Sequence, residues 1–192
     1  MKTLPVAFLA LASSNLLAQA NTVATPSGFG ASHRFETNVS VSLSSLNTEW
    51  SGRIDGISAE AQVFLPRIFF LKVGTHEYDG IESNTLGFGF AIGAGNGRIT
   101  LGADLGSVEE QLQTKLSAAY EHRFASGLFV GAGLVGFVNE NTLPRGYACG
   151  VLTGGWRFAN GLSVSLTVSN GDHVLGLGEG ESAFSLGIRH TY

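Results

Sequence analysis

The chain has a single cysteine among its 192 residues, and only 14% of them are charged. A lone Cys149 excludes any intrachain disulfide. A side chain so small and weakly polar suits a buried filler better than a reactive thiol. With a formal net charge of −4, the chain has no basic excess with which to hold nucleic acid. Long apolar runs are missing too. Beyond the amino terminus none reaches the roughly 20 residues a spanning helix needs. If this chain crosses a membrane it must do so as a closed barrel, the other fold that satisfies every backbone group internally.

What the chain has in plenty is glycine and phenylalanine, 27 and 13 residues. Glycine stands at roughly twice ordinary usage, but without the period of collagen. The content of Val, Leu, Ile and Phe is too high for disorder. Residues 1–20 read as a secretory signal peptide: Lys2 supplies the positive start, Leu4 to Ala12 the apolar middle, and Ala18-Gln-Ala20 a cleavage site. Residues 21–31 are small, polar and without periodicity, a flexible lead-in. A single domain is expected over residues 32–192.

From Ser32 onward apolar and polar residues alternate, the period of a strand with one greasy and one wet side. Thr37, Val39, Val41 and Leu43 oppose Glu36, Asn38, Ser40 and Ser42. Leu86, Phe88, Phe90 and Ile92 oppose Gly87, Gly89, Ala91 and Gly93. Leu162, Val164, Leu166 and Val168 oppose Ser163, Ser165, Thr167 and Ser169. Ten such stretches can be counted. Eight remain the fallback if a weak hairpin around Glu60 or Lys72 is misread. Leu65-Pro-Arg67, Gly95-Asn-Gly97, Ala125-Ser-Gly127 and Ala159-Asn-Gly161 carry tight-turn chemistry. Longer polar loops are expected at 47–55, 79–84, 107–111, 139–146 and 170–181. An even strand count puts both termini on the tight-turn side.

The last stretch, Phe184-Ser-Leu-Gly-Ile-Arg-His-Thr-Tyr192, sets Phe184, Leu186, Ile188, His190 and Tyr192 on one face. Together with the signal peptide, the alternation and the loop asymmetry, it makes the chain resemble a small bacterial outer-membrane β-barrel. The resemblance implies an all-β fold, an antiparallel up-and-down transmembrane barrel in the outer membrane. It also implies that Phe184, Leu186, Ile188 and Tyr192 present a signal to the barrel-assembly machinery, and that the greasy face meets outer-membrane lipid. His190 departs from the pattern, standing where an aromatic residue is more usual. The competing fold is a soluble, lipocalin-like barrel. It would turn the greasy face inward, and so many Phe and Leu side chains would leave little room for a ligand.

Charge is unevenly distributed. Asp79, Glu82, Glu109, Glu110, Asp172, Glu179 and Glu181 fall in the outer loops and make an acidic rim that would suit divalent cations. Arg34, Glu36, Glu60, Lys72, Arg98, Asp104, Lys115, Glu121, Arg123, Arg157 and Arg189 fall on the wet face, with basic residues in excess. Buried charges are seldom left unpaired, so a lumen network is expected among them. A charged rim can also bias which ions enter a pore. The rim and the lumen oppose each other in sign, so no strong selectivity is expected.

Other motifs weigh little. Gly131-Ala-Gly133-Leu-Val-Gly136 spells a dinucleotide fingerprint but has no helix after it. His33, His76, His122 and His190 lack metal-ligand spacing, so neither metal nor cofactor is expected; His33, His122 and His190 suit interfacial anchors. Asp172 and His173 could serve a hydrolase at the rim. Being adjacent, they diverge on extended backbone, and no serine at a useful spacing joins them. The expected function is a narrow porin-like passage for ions or small solutes, without enzymatic activity. The alternative is a plugged barrel acting structurally or through its acidic loops. Oligomeric state is left open.

Overall fold

The computed structural model describes residues 36–48, 52–65, 68–108, 111–139, 146–174 and 182–192. The expected signal peptide and lead-in, Arg34, Glu109, Glu110, Glu179 and Glu181 lie outside them. Ten strands follow in order: β1 Glu36–Thr48, β2 Gly52–Phe64, β3 Phe69–Tyr78, β4 Ile81–Ala94, β5 Gly97–Val108, β6 Gln111–Arg123, β7 Leu128–Asn139, β8 Gly146–Arg157, β9 Leu162–Ser169 and β10 Ser182–Thr191. Each pairs antiparallel with the next, and β10 pairs with β1, so the sheet closes as an up-and-down barrel. β2 and β3, which carry Glu60 and Lys72, are full members of the wall. No eight-stranded reduction is needed.

The greasy face points outward. Phe88, Leu116, Val164 and Leu186 are 53%, 50%, 36% and 47% exposed. So are many other large apolar side chains on every part of the wall, Leu134, Leu86 and Leu43 among them. A soluble protein rarely leaves so large a continuous apolar surface uncovered, and a lipocalin-like barrel would have hidden these residues. Phe184, Ile188 and Tyr192, which the resemblance expects to carry an assembly signal, also face outward, on the strand that closes the ring. Toward the tight-turn end the outer face carries aromatic rings. Phe69 packs on Phe90 with centroids 4.9 Å apart, His122 on the edge of Phe124 at 4.7 Å, and His190 on Tyr192 at 4.3 Å. His122 and His190 thus stand among the rings of an interfacial girdle, where amphipathic rings are favoured.

The outer connections depart from expectation. Residues 79–84 do not form a loop: Asp79 and Gly80 alone make the turn, with φ of 47° and 85°. Two consecutive residues with positive φ match the twist of a tight hairpin, and Asp-Gly supplies them at little cost. β3 and β4 therefore run on through polar sequence, and Glu82 sits in β4 directly opposite Glu77. Likewise only two residues separate β5 from β6. Pairing continued past the apolar band because backbone hydrogen bonding does not depend on side-chain polarity.

Tracing ladder partners once round the barrel returns to β1 displaced by about 12 residues, a stagger that closes ten strands at a tilt of roughly 40°. One such row runs Asn38, Gln62, Lys72, Gly87, Asp104, Lys115, Phe137, Tyr147, all facing the lumen. The tilt carries the row from the turn end of β1 to the loop end of β8. Charges far apart in the chain are brought level by it.

Candidate functional site: the lumen

The middle of the lumen is organised on Gly87. Lys72 of β3 and Asp104 of β5 flank it on the same row, two strands apart. Because Gly87 has no side chain, the Asp104 carboxylate lies over its backbone and meets the Lys72 ammonium at 2.5 Å. Glu60 stands 4.0 Å from the same ammonium and 3.9 Å from His76 Nε2. Asp104 is 3% and His76 3% exposed. The lumen glycines thus do more than let the wall curve. They are the floor on which larger side chains from neighbouring strands lie: the Phe70 ring covers Gly89, and the Phe129 ring covers Gly155.

Nearer the turn end, two ion pairs cross the barrel. Arg98 of β5 reaches Glu36 of β1, with nitrogen–oxygen distances of 3.4 and 3.3 Å. Those strands stand four apart in a ring of ten, close to opposite walls. Arg189 of β10 reaches Glu121 of β6 at 3.5 Å, again across four strands, and Arg123 meets the other oxygen of Glu121 at 2.7 Å. Rings fill the space between. The Arg98 guanidinium lies 4.4 Å from the centroid of Phe64, and Phe64 packs on Phe70 at 5.6 Å. The Arg189 guanidinium lies over Phe129 at 5.7 Å. Phe70, Phe129, Phe137 and Tyr78 all face inward and are at most 5% exposed.

The ion pairs take in the described charged residues of the lumen face except two. Lys115 makes no ion pair among the described residues; its ammonium lies over the Phe137 ring at 5.7 Å. Arg157 likewise has no carboxylate at pairing distance among the described residues.

Asp172 corrects the acidic-rim expectation. It is 2% exposed. Gly171 and Asp172, just after β9, are buried rather than standing in solvent. His173 holds them there: its Nδ1 lies 2.8 Å from the Ser169 hydroxyl and its Nε2 3.5 Å from the Ser185 hydroxyl. Burial, helped by the positive charge of Lys115, lowers the His173 pKa to about 4, so the ring is neutral at neutral pH and keeps one nitrogen free to accept. Asp172 accepts the Val174 amide at 2.8 Å. Sequence spacing had offered no serine to His173. One partner is local after all, Ser169, four residues before the histidine, and the barrel brings the other, Ser185, from the adjoining wall. Ser185 is 5% exposed, and its hydroxyl lies 2.7 Å from that of Ser44. A histidine between two buried serines ties the segment to the wall. A hydrolytic nucleophile would need an open side toward substrate.

Of the other rim residues, Asp79 and Glu82 are exposed, and among the described residues no three acidic, histidine or cysteine side chains converge as a metal-binding group. Cys149 is 2% exposed on the inner face of β8. In the folded barrel it should resist a membrane-impermeant maleimide and label fully only after denaturation. Labelling at the rate of a free thiol would contradict the packed lumen.

No protein-family model matches the chain, nor does any curated protein sequence. Solved structures do. The NanC porin structure aligns with a TM-score of 0.51 at 6% identity, over 80% of this chain and 98% of that one. The translocator domain of the autotransporter NalP from Neisseria meningitidis aligns at 0.47 and 12% identity, over 100% and 99%. A de novo designed transmembrane β-barrel aligns at 0.43 and 10%, over 88% and 100%. At such identity the likeness is one of fold, and the fold is a closed, antiparallel, ten-stranded barrel of the outer-membrane type.

Proposed function

We propose that this chain is a bacterial outer-membrane barrel closed to solutes by its own lumen side chains, serving a structural or surface-interaction role through its loop end. The outward apolar band and the girdle support the membrane placement, since lipid is the solvent that favours both. The observation that carries the closed reading is the pair of cross-lumen bridges, Arg98–Glu36 and Arg189–Glu121, with Phe64, Phe70 and Phe129 packed between them. An open porin of this strand number would leave its inner side chains wet. Here the inward aromatic rings are among the most deeply buried in the molecule. Barrels of about eight strands are filled by their side chains, and ten strands add little width.

Single-channel recording in planar bilayers tests this directly. The folded protein should give no discrete openings above background. Removing both bridges, with Glu36→Ala, Arg98→Ala, Glu121→Ala and Arg189→Ala combined, should produce them. Regular openings of the unaltered protein would reinstate the narrow-passage reading. Heat-modifiable gel mobility and recovery in the outer-membrane fraction check the placement, and recovery as a soluble periplasmic protein would refute it.

A further inference from the structure

The turn-side half of the lumen holds more positive charge than its carboxylates neutralise. Arg98, Arg123, Arg157 and Arg189 face inward there, against Glu36 and Glu121. Glu36 is engaged by Arg98, and Glu121 by both Arg123 and Arg189. Arg157 is left over: no described carboxylate lies at pairing distance from it. A guanidinium does not shed its proton to escape burial, and a partly buried charge without a counter-charge is costly.

Glu36 and Glu121 act on Arg157 only from beyond pairing distance. Residues 1–35 contain no aspartate or glutamate. The acidic residues outside the described structure, Glu49, Glu109, Glu110, Glu140, Glu179 and Glu181, fall in the sequence between strands whose described ends meet on the opposite, loop side. Arg157 is the last residue of β8, so it stands at the turn-side mouth, within reach of solution. Ladder partners place Ser163 between Arg157 and Arg189 on one row, so two guanidinium groups rise from one level with only a small side chain separating their strands.

We propose that Arg157, flanked by Arg189 and Arg123, binds a small oxoanion, a phosphate or a carboxylate, entering from the turn side. The planar fork of Arg157 would grip two oxygens of such an anion, and the flanking guanidinium groups would add field without giving up Glu121. Arg157 ends β8 at the turn-side mouth, at the level of the bridges, so an anion arriving from that side needs no passage through the lumen.

Isothermal titration of the folded barrel in non-ionic detergent tests the site, with sodium phosphate and sodium acetate as probes and sodium chloride at matched ionic strength as control. Saturable one-to-one binding of either oxoanion, absent for chloride, is expected. Arg157→Gln should weaken it at least tenfold, while Arg53→Gln, on the outer face at the far end, should leave it unchanged. Should the glutamine variant not fold, as judged by heat-modifiable mobility, Arg157→Lys decides: loss of the fork should cost several-fold in affinity. No saturable binding, equal binding of chloride, or unaltered affinity in the folded Arg157 variant would each overturn the site.

Discussion

Gly87→Leu should abolish the stable barrel or cost it about 3–5 kcal/mol, the penalty for parting a buried ion pair. A Cβ at this position would occupy the place of Asp104 Oδ1 and press on the Lys72 stem. The carboxylate would have to leave, and Lys72 would keep only the longer contact to Glu60. Gly154→Leu is the matched control. Gly154 faces outward, and an added Cβ there meets nothing closer than 4.0 Å, so its cost should stay below about 1 kcal/mol. Urea titration of both variants in lipid vesicles, read by gel mobility, would compare them. Equal stability would mean that the Lys72–Asp104 contact does not hold the middle of the lumen. A third variant separates charge from shape. Lys72→Met with Asp104→Leu and Glu60→Gln should come closer to the parent than Asp104→Ala alone, because removing all three charges leaves none stranded.

A second large effect is expected on the opposite face. Leu166 lies in mid-strand on β9, paired with Leu186 of β10, and is 45% exposed. Leu166→Arg should cost about 2–4 kcal/mol in a phospholipid bilayer, the price of a guanidinium near the midplane on a barrel's lipid face. The residue before it, Ser165, faces the lumen, and Ser165→Ala should change stability by less than about 1 kcal/mol. The contrast between neighbours is the signature of alternation against lipid. In detergent the arginine penalty should shrink, because a micelle lets water reach the wall. A neutral Leu166→Arg in lipid would argue that this face never meets hydrocarbon.

The two variants also mark how far the amino-acid order alone could reach. Leu166 was assignable from its neighbours, since Val164, Leu166 and Val168 against Ser163, Ser165 and Thr167 define both faces without reference to any other strand. The significance of Gly87 was not. In the chain it is one of several small residues on a wet face. Only its place between Lys72 and Asp104 makes it the floor of an ion pair. Turn length at Asp79–Gly80 is hidden in the sequence for a related reason. Polar composition marks solvent exposure, yet two residues with positive φ were enough to turn the chain there. Asp172 and His173 look like rim residues in the sequence because adjacent polar side chains in a long connection ordinarily face water. The partners that draw His173 inward, Ser169 and Ser185, sit on different strands.

The sequence by itself determined the alternation, the residues that share each face of a strand, and the tight turns that Gly, Asn and Pro mark. Each of these follows from interactions between residues only a few positions apart: the two-residue period of a strand and the backbone preferences of Gly, Asn and Pro. The tertiary structure alone decided which charges meet. That Arg98 crosses to Glu36, that Arg189 crosses to Glu121, and that no described carboxylate lies at pairing distance from Arg157 depend on the stagger with which the barrel closes. Stagger is a property of the ring as a whole. A change of register in any pair of strands would slide every row against the next, leaving each strand's own pattern intact while dissolving the network inside.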